Sequence, residues 1–82
     1  MRKNPVDVKI LALPGAALDE TTKRIWTLAG RQRCPVAVEQ IQDPRQIALF
    51  GGPAVPAVIV DGELVHTGCV PKAGEIKHWL AR

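Results

Sequence analysis

The side chains best suited to nucleophilic or redox chemistry are the thiols of Cys34 and Cys69 and the imidazoles of His66 and His78. A cysteine attacks as its thiolate, and a positive neighbour or a helix N-terminus helps it do so. Cys69 stands just ahead of Val70-Pro71 and the start of a helical pattern, so it is the candidate for a single reactive thiol. Cys34 follows Arg31 and Arg33 and has an electropositive setting. Read structurally, either thiol is a small, partly buried filler. The histidines offer less. No serine exists in the chain, no acid is evidently paired with His66, and His78 falls on the wet side of the last helix. His66, Cys69 and His78 match no zinc spacing, so neither a metal nor another cofactor is expected.

These residues must be positioned by a chain of 82 residues, which is the size of one domain. Such a chain buries about 60% of its unfolded surface, and an apolar content of 46% argues for a folded globule. The net charge of +3 is spread over scattered sites, with only Trp26, Phe50 and Trp79 as aromatics. A single-stranded nucleic-acid platform needs a charged track with stacking rings, so no nucleic-acid partner is expected. No stretch approaches about 18 uninterrupted apolar residues, so no membrane span is expected. Met1-Arg2-Lys3-Asn4-Pro5 is basic, but Asp7 and Lys9 interrupt the apolar region a secretion signal requires. The cytoplasm is the expected compartment.

Val6 to Leu13 alternates and then turns wholly apolar, as a strand entering a covered sheet does, and Pro14-Gly15 stops it. Asp19 is the expected cap of a helix reaching about Gly30, which ends it in a left-handed conformation. Leu18, Thr22, Ile25 and Ala29 share the apolar face, with Leu28 beside it. Pro35 to Glu39 is a second strand. Asp43-Pro44 opens a short helix that carries Ile47 and Phe50 and stops at Gly51-Gly52. Ala57 to Val60 and Glu63 to Thr67 flank Asp61-Gly62, a pair that tolerates the positive φ of a tight hairpin. A closing helix over about Ala73 to Ala81 buries Ile76, Trp79 and Leu80. The order is β-α-β-α-β-β-α: two parallel strands joined through a helix, two antiparallel ones joined by a turn, and helices on both faces of a four-stranded mixed sheet. Trp26 and Leu49 fall off the core stripes of their helices. With Phe50 they offer a patch for a weak homodimer, but simple packing in a monomer is the preferred reading.

From Ile41 through Leu80, the residues Gln46-Ile47, Pro56, Val60-Asp61-Gly62-Glu63-Leu64, Gly68, Val70 and Glu75-Ile76-Lys77 resemble the small thioredoxin-like, glutaredoxin-sized redox-active disulfide proteins. The resemblance implies a single thioredoxin-like domain over residues 1–82. It also implies a cis Val55-Pro56 bond, which leaves the backbone of Val55 open to an extended peptide or a glutathione-like ligand. In that family two cysteines open the first helix, where the helix N-terminus activates the attacking thiol. Spacing back from Pro56 places Ala16 or a neighbour at the attacking position and Asp19 or Leu18 at the resolving one. Here Ala16-Ala17-Leu18-Asp19 holds no sulfur. In this layout Cys34 and Cys69 fall at opposite edges of the sheet, three steps of about 4.8 Å apart. A disulfide needs Cα atoms within about 7 Å, so the two cannot replace the missing pair.

The leading expectation is a thioredoxin-fold protein with a degenerate site, binding a peptide, a partner protein or a glutathione-like ligand through Pro14, Gly15, Ala16, Asp19, Val55 and Pro56. The second is a single-cysteine thiol oxidoreductase that uses Cys69. The third is a subunit whose missing thiol comes from a partner.

Overall fold

A computed structural model describes residues 4–81 of the chain. Met1, Arg2 and Lys3, which entered the reading of the N-terminus as a possible signal, lie outside the described residues. The elements are β1 (Val6–Leu11), α1 (Ala16–Arg31), β2 (Val36–Ile41), α2 (Pro44–Leu49), β3 (Ala57–Val60), β4 (Glu63–His66) and α3 (Ala73–Leu80). They form a four-stranded sheet in the order β2-β1-β3-β4. β1 runs parallel to β2 and antiparallel to β3, and β3 is antiparallel to β4 with a register shift between Val58 and Ile59. This is the mixed sheet and element order that the sequence predicts.

Alternation along β1 divides the core. Val6, Val8 and Ile10 join Val58 and Val60 against Leu18, Ile25 and Leu28 of α1 and Ile76, Trp79 and Leu80 of α3. Leu11, Ala57 and Ile59 point to the other face, where they meet Ile41 and Ile47 beneath α2. All four residues of β3 are buried, as befits a central strand covered on both sides. On the face shared with α2, Lys9 Nζ donates to Asp7 Oδ2 at 2.8 Å. That hydrogen bond is the main reason the Lys9 ammonium is held above its ordinary 10.5; partial burial opposes it, and the charges of Asp7 and Glu39 reinforce it.

Both ends of α1 differ from expectation. The helix starts at Ala16, and Gly15 is its cap at φ 155 without a side-chain hydrogen bond. Asp19 is not the cap: its N–H makes a helical bond to Gly15 O at 3.1 Å, which places it inside the first turn. Its carboxylate still lies at the positive end of the helix. Pro14 and Gly15 turn the chain so sharply that no lead-in remains for a later start. At the other end Gly30 stays helical, and the left-handed residue is Arg33 at φ 51. Cys34 N–H reaches Ala29 O at 2.9 Å and Arg33 N–H reaches Gly30 O at 3.2 Å, so the two bonds make a Schellman ending with arginine in the glycine position. Thr21, not Thr22, is buried on the core face, and its hydroxyl donates to Ala17 O at 2.8 Å.

β1 also stops two residues short of Leu13. Ala12 remains tied to Ile41 O, but Leu13, constrained by the proline after it, turns out to solvent. The second half follows the predicted signals closely. Asp43 accepts a bond from Arg45 N–H at 2.9 Å, Pro44 opens α2, and Asp61 and Gly62 take positive φ in the hairpin.

Candidate functional site

The loop before α1 and the loop before β3 meet at the C-terminal end of β1. Ala12, Leu13, Pro14, Gly15, Ala16 and Ala17 face Val55 and Pro56 across a hollow of about 240 Å³. A second hollow of about 280 Å³ lies on its other flank, lined by Leu13, Pro44, Ile47, Ala48, Gly52, Pro53 and Val55. Leu13 and Val55 belong to both, so the two make one groove with an apolar wall between them. Both wall residues are exposed, Leu13 at 53% and Val55 at 38%. No charged side chain lines either half.

The Val55–Pro56 peptide bond is cis. Gly68, at φ 93, donates its N–H to the carbonyls of Ala54 at 3.1 Å and Pro56 at 3.0 Å, tying the segment after β4 to this loop. Among the described residues, no hydrogen bond reaches the main chain of Val55. Five of the predicted site residues, Pro14, Gly15, Ala16, Val55 and Pro56, therefore come together around one hollow. Asp19 does not line it and faces solvent one turn along α1.

Cys69 follows Gly68 and is exposed, whereas Cys34 is half-buried at the opposite edge of the sheet; both are free. Cys69 has a neighbour that the sequence did not reveal. Its Sγ lies 3.5 Å from His66 Nε2, and the other ring nitrogen lies 3.1 Å from Glu75 Oε2. The expectation that His66 lacks an acid is thus corrected. Glu75 is nine residues on from His66 and in another element, and the first turn of α3 brings it back against the end of β4. The spacing of a histidine with a glutamate at the third position of the next helix was the only available signal. Among the described residues, no group of three or more His, Cys, Asp or Glu side chains is arranged to hold a metal ion.

Trp26, Leu49 and Phe50 do not form one patch. Trp26 lines a hollow with Pro5, Arg33 and Val36, while Leu49 and Phe50 line another with Lys9 and Glu39 on the α2 side of the sheet.

The sheet order, the helices on both faces and the proline loop facing the start of α1 agree with a family match that spans nearly the whole chain: the thioredoxin-domain model aligns to residues 6–81. The chain belongs to the thioredoxin-domain family. No curated protein and no solved structure matches it. Within this thioredoxin domain the first turn of α1 reads Ala16-Ala17-Leu18-Asp19, so the helix end that would activate a thiol carries none. No described helix is long and apolar enough to cross a membrane.

Proposed function

We propose that this thioredoxin domain is a binding module with a degenerate exchange site, which takes an extended, uncharged peptide segment of a partner protein into the groove at Leu13 and Val55. One observation carries the reading: the two hollows share a wall of two exposed apolar side chains, and the main chain of Val55 beside it has no hydrogen-bond partner among the described residues. Burying exposed apolar surface supplies the affinity, about 25 cal/mol per Å² of area removed from water. The free N–H and C=O of Val55 supply direction, because an extended strand offers the complementary pair.

The lining also chooses among ligands. A glutathione-like molecule carries two carboxylates and an ammonium, and no lining side chain would pair with them. Burying an unpaired charge is costly. A peptide with small or branched apolar side chains meets no such penalty.

The test is a titration of the ¹⁵N-labelled chain with acetyl-Ala-Val-Leu-Val-Ala-amide and, separately, with glutathione. The peptide should shift the amides of Leu13, Gly15 to Ala17 and Val55, and glutathione should leave them in place. Val55→Asp should weaken the peptide at least about tenfold, since one mispaired charge readily exceeds the 1.4 kcal/mol that a factor of ten represents. Unmoved amides at millimolar peptide would sink the proposal.

A further inference from the structure

β2 is an edge of the sheet, paired on one side with β1. Val6 N–H donates to Pro35 O at 2.9 Å and Ala12 N–H to Ile41 O at 3.1 Å, so the odd-numbered residues of this stretch address β1. The N–H and C=O groups of Val36, Val38 and Gln40 therefore point away from the sheet, with no strand beyond them. The side chains of the same three residues lie on the α1 face. Val36 and Val38 pack against the larger core cluster, and Gln40 Nε2 donates to Thr22 Oγ1 at 2.9 Å, one helical turn from Trp26. Such an edge is a template for pairing with another chain.

At the N-terminal end of that edge lies a hollow of about 590 Å³, walled by Trp26, Pro5, Pro35 and Val36. Trp26 is 52% exposed, and Arg33 is the one charged side chain on the lining. Arg33 is also the residue held at φ 51, a conformation that glycine adopts without strain. Among the described residues no hydrogen bond or ion pair holds its guanidinium, so no polar contact within the molecule offsets that strain. Strain kept at such a position points to a ligand for the side chain. The last carbonyls of α1, which would repel an anion, are already bonded to the N–H groups of Gln32, Arg33 and Cys34. One cation and no acid call for one carboxylate, whose two oxygens match the guanidinium fork.

We propose that the outer edge of β2 and the Trp26–Arg33 hollow together bind the C-terminal tail of a partner protein, taken as an added antiparallel strand that ends in an apolar residue with a free carboxylate. Strand direction links the two features. A segment pairing antiparallel with β2, the slightly more stable sense of pairing, runs toward Val36 and ends beside Arg33. Its terminal carboxylate then falls at the guanidinium, and its last side chain meets Trp26 among the prolines. Main-chain bonds along Val36, Val38 and Gln40 supply affinity, and the hollow selects a chain end over an internal segment. The inference goes beyond the peptide groove and does not depend on it. That groove lies at the C-terminal end of β1, and because β1 and β2 are parallel this site lies at the opposite end of the sheet.

The test titrates the ¹⁵N-labelled chain with acetyl-Thr-Val-Thr-Val-Leu as the free acid, with the same peptide as its C-terminal amide, and with acetyl-leucine. The free acid should shift the Trp26 indole N–H and the amides of Val36, Val38 and Gln40. The amide should bind at least about tenfold more weakly, because the charge-assisted pair with Arg33 is lost. Acetyl-leucine keeps the carboxylate and the side chain but offers no strand, so it should be weaker than the free acid by at least about the same factor. Arg33→Gly should reduce the free acid to the affinity of the amide while its urea midpoint does not fall, which separates lost binding from lost fold. If that variant unfolds, Arg33→Asn, which also accepts the left-handed backbone, and Trp26→Ala decide, each with the same expected weakening. Equal binding of acid and amide, or acetyl-leucine as tight as the pentapeptide, would overturn the proposal. Shifts confined to Leu13 and Val55 would support the groove and overturn this site.

Discussion

Glu75 Oε2 stands 3.1 Å from His66 Nδ1, joining the first turn of α3 to the last residue of β4. The same carboxylate receives Lys72 N–H through Oε1, so one side chain both caps the helix and fixes the ring. Replacing a helix-capping acceptor typically costs about 1 kcal/mol. Glu75→Ala should lose about that much in urea unfolding, while Glu75→Gln, which keeps an acceptor, should lose less than half as much. Equal losses would show that the charge, and not the cap, is what stabilises this end.

Arg33 occupies the left-handed position that ends α1, at φ 51. A residue with a Cβ pays roughly 1–2 kcal/mol for that conformation, and glycine regains most of it less its own entropy. Arg33→Gly should raise stability by about 0.5–1 kcal/mol. The denaturant midpoint should move up with an unchanged slope. Gly30→Ala should also stabilise slightly, since Gly30 is helical and nothing lies within 4 Å of an added Cβ. A destabilised Arg33→Gly would mean that the arginine side chain contributes more than its backbone costs.

The first turn of α1 tests how much of the exchange apparatus survives. Ala16 and Asp19 are three apart on that turn and both exposed, which makes them surface neighbours with Cβ atoms about 5–6 Å apart. The double variant Ala16→Cys, Asp19→Cys should form a disulfide and reduce insulin at least about tenfold faster than the unchanged chain, because the helix end favours the thiolate. Cys69→Ser in both backgrounds isolates the new pair. No gain in turnover would show that the loop has lost more than its sulfur.

The Lys9–Asp7 pair gives a pH dependence of definite sign. Because folding raises the Lys9 value, its contribution is fully present below the lysine range of the unfolded chain and fades as pH climbs through the higher folded value. Both partners are partly exposed, so the pair contributes no more than a few tenths to about 1 kcal/mol. Lys9→Met should therefore differ from the native chain in urea midpoint near neutrality and converge with it in strong alkali. A gap that persists at high pH would assign the effect to packing of the lysine stem.

The fold was legible because its signals are local and mutually consistent. Asp43-Pro44, Asp61-Gly62 and the apolar run Ala57 to Val60 each mark one turn or strand, and each lies where it reads. The ends of α1 were misread for the opposite reason. Asp19 and Gly30 are good terminators in isolation, but the Pro14-Gly15 bend and the Arg33 bond to Gly30 O override them. The groove was legible through Pro14, Gly15, Val55 and Pro56, yet Leu13 looked like strand interior until its side chain was seen outside. The ring of His66 was missed because its partner belongs to another element, and only packing brings α3 to β4.

The core is split unequally by the sheet: a 16-residue and an eight-residue helix seal one side, and a six-residue helix rests on the other over Leu11, Ile41, Ala57 and Ile59. Breathing of the molecule is therefore lopsided. α2 can lift at the expense of one small cluster while the larger one stays shut, so the earliest amides to trade hydrogen for deuterium should be those from Ile47 to Leu49, and the latest those of β1 and β3.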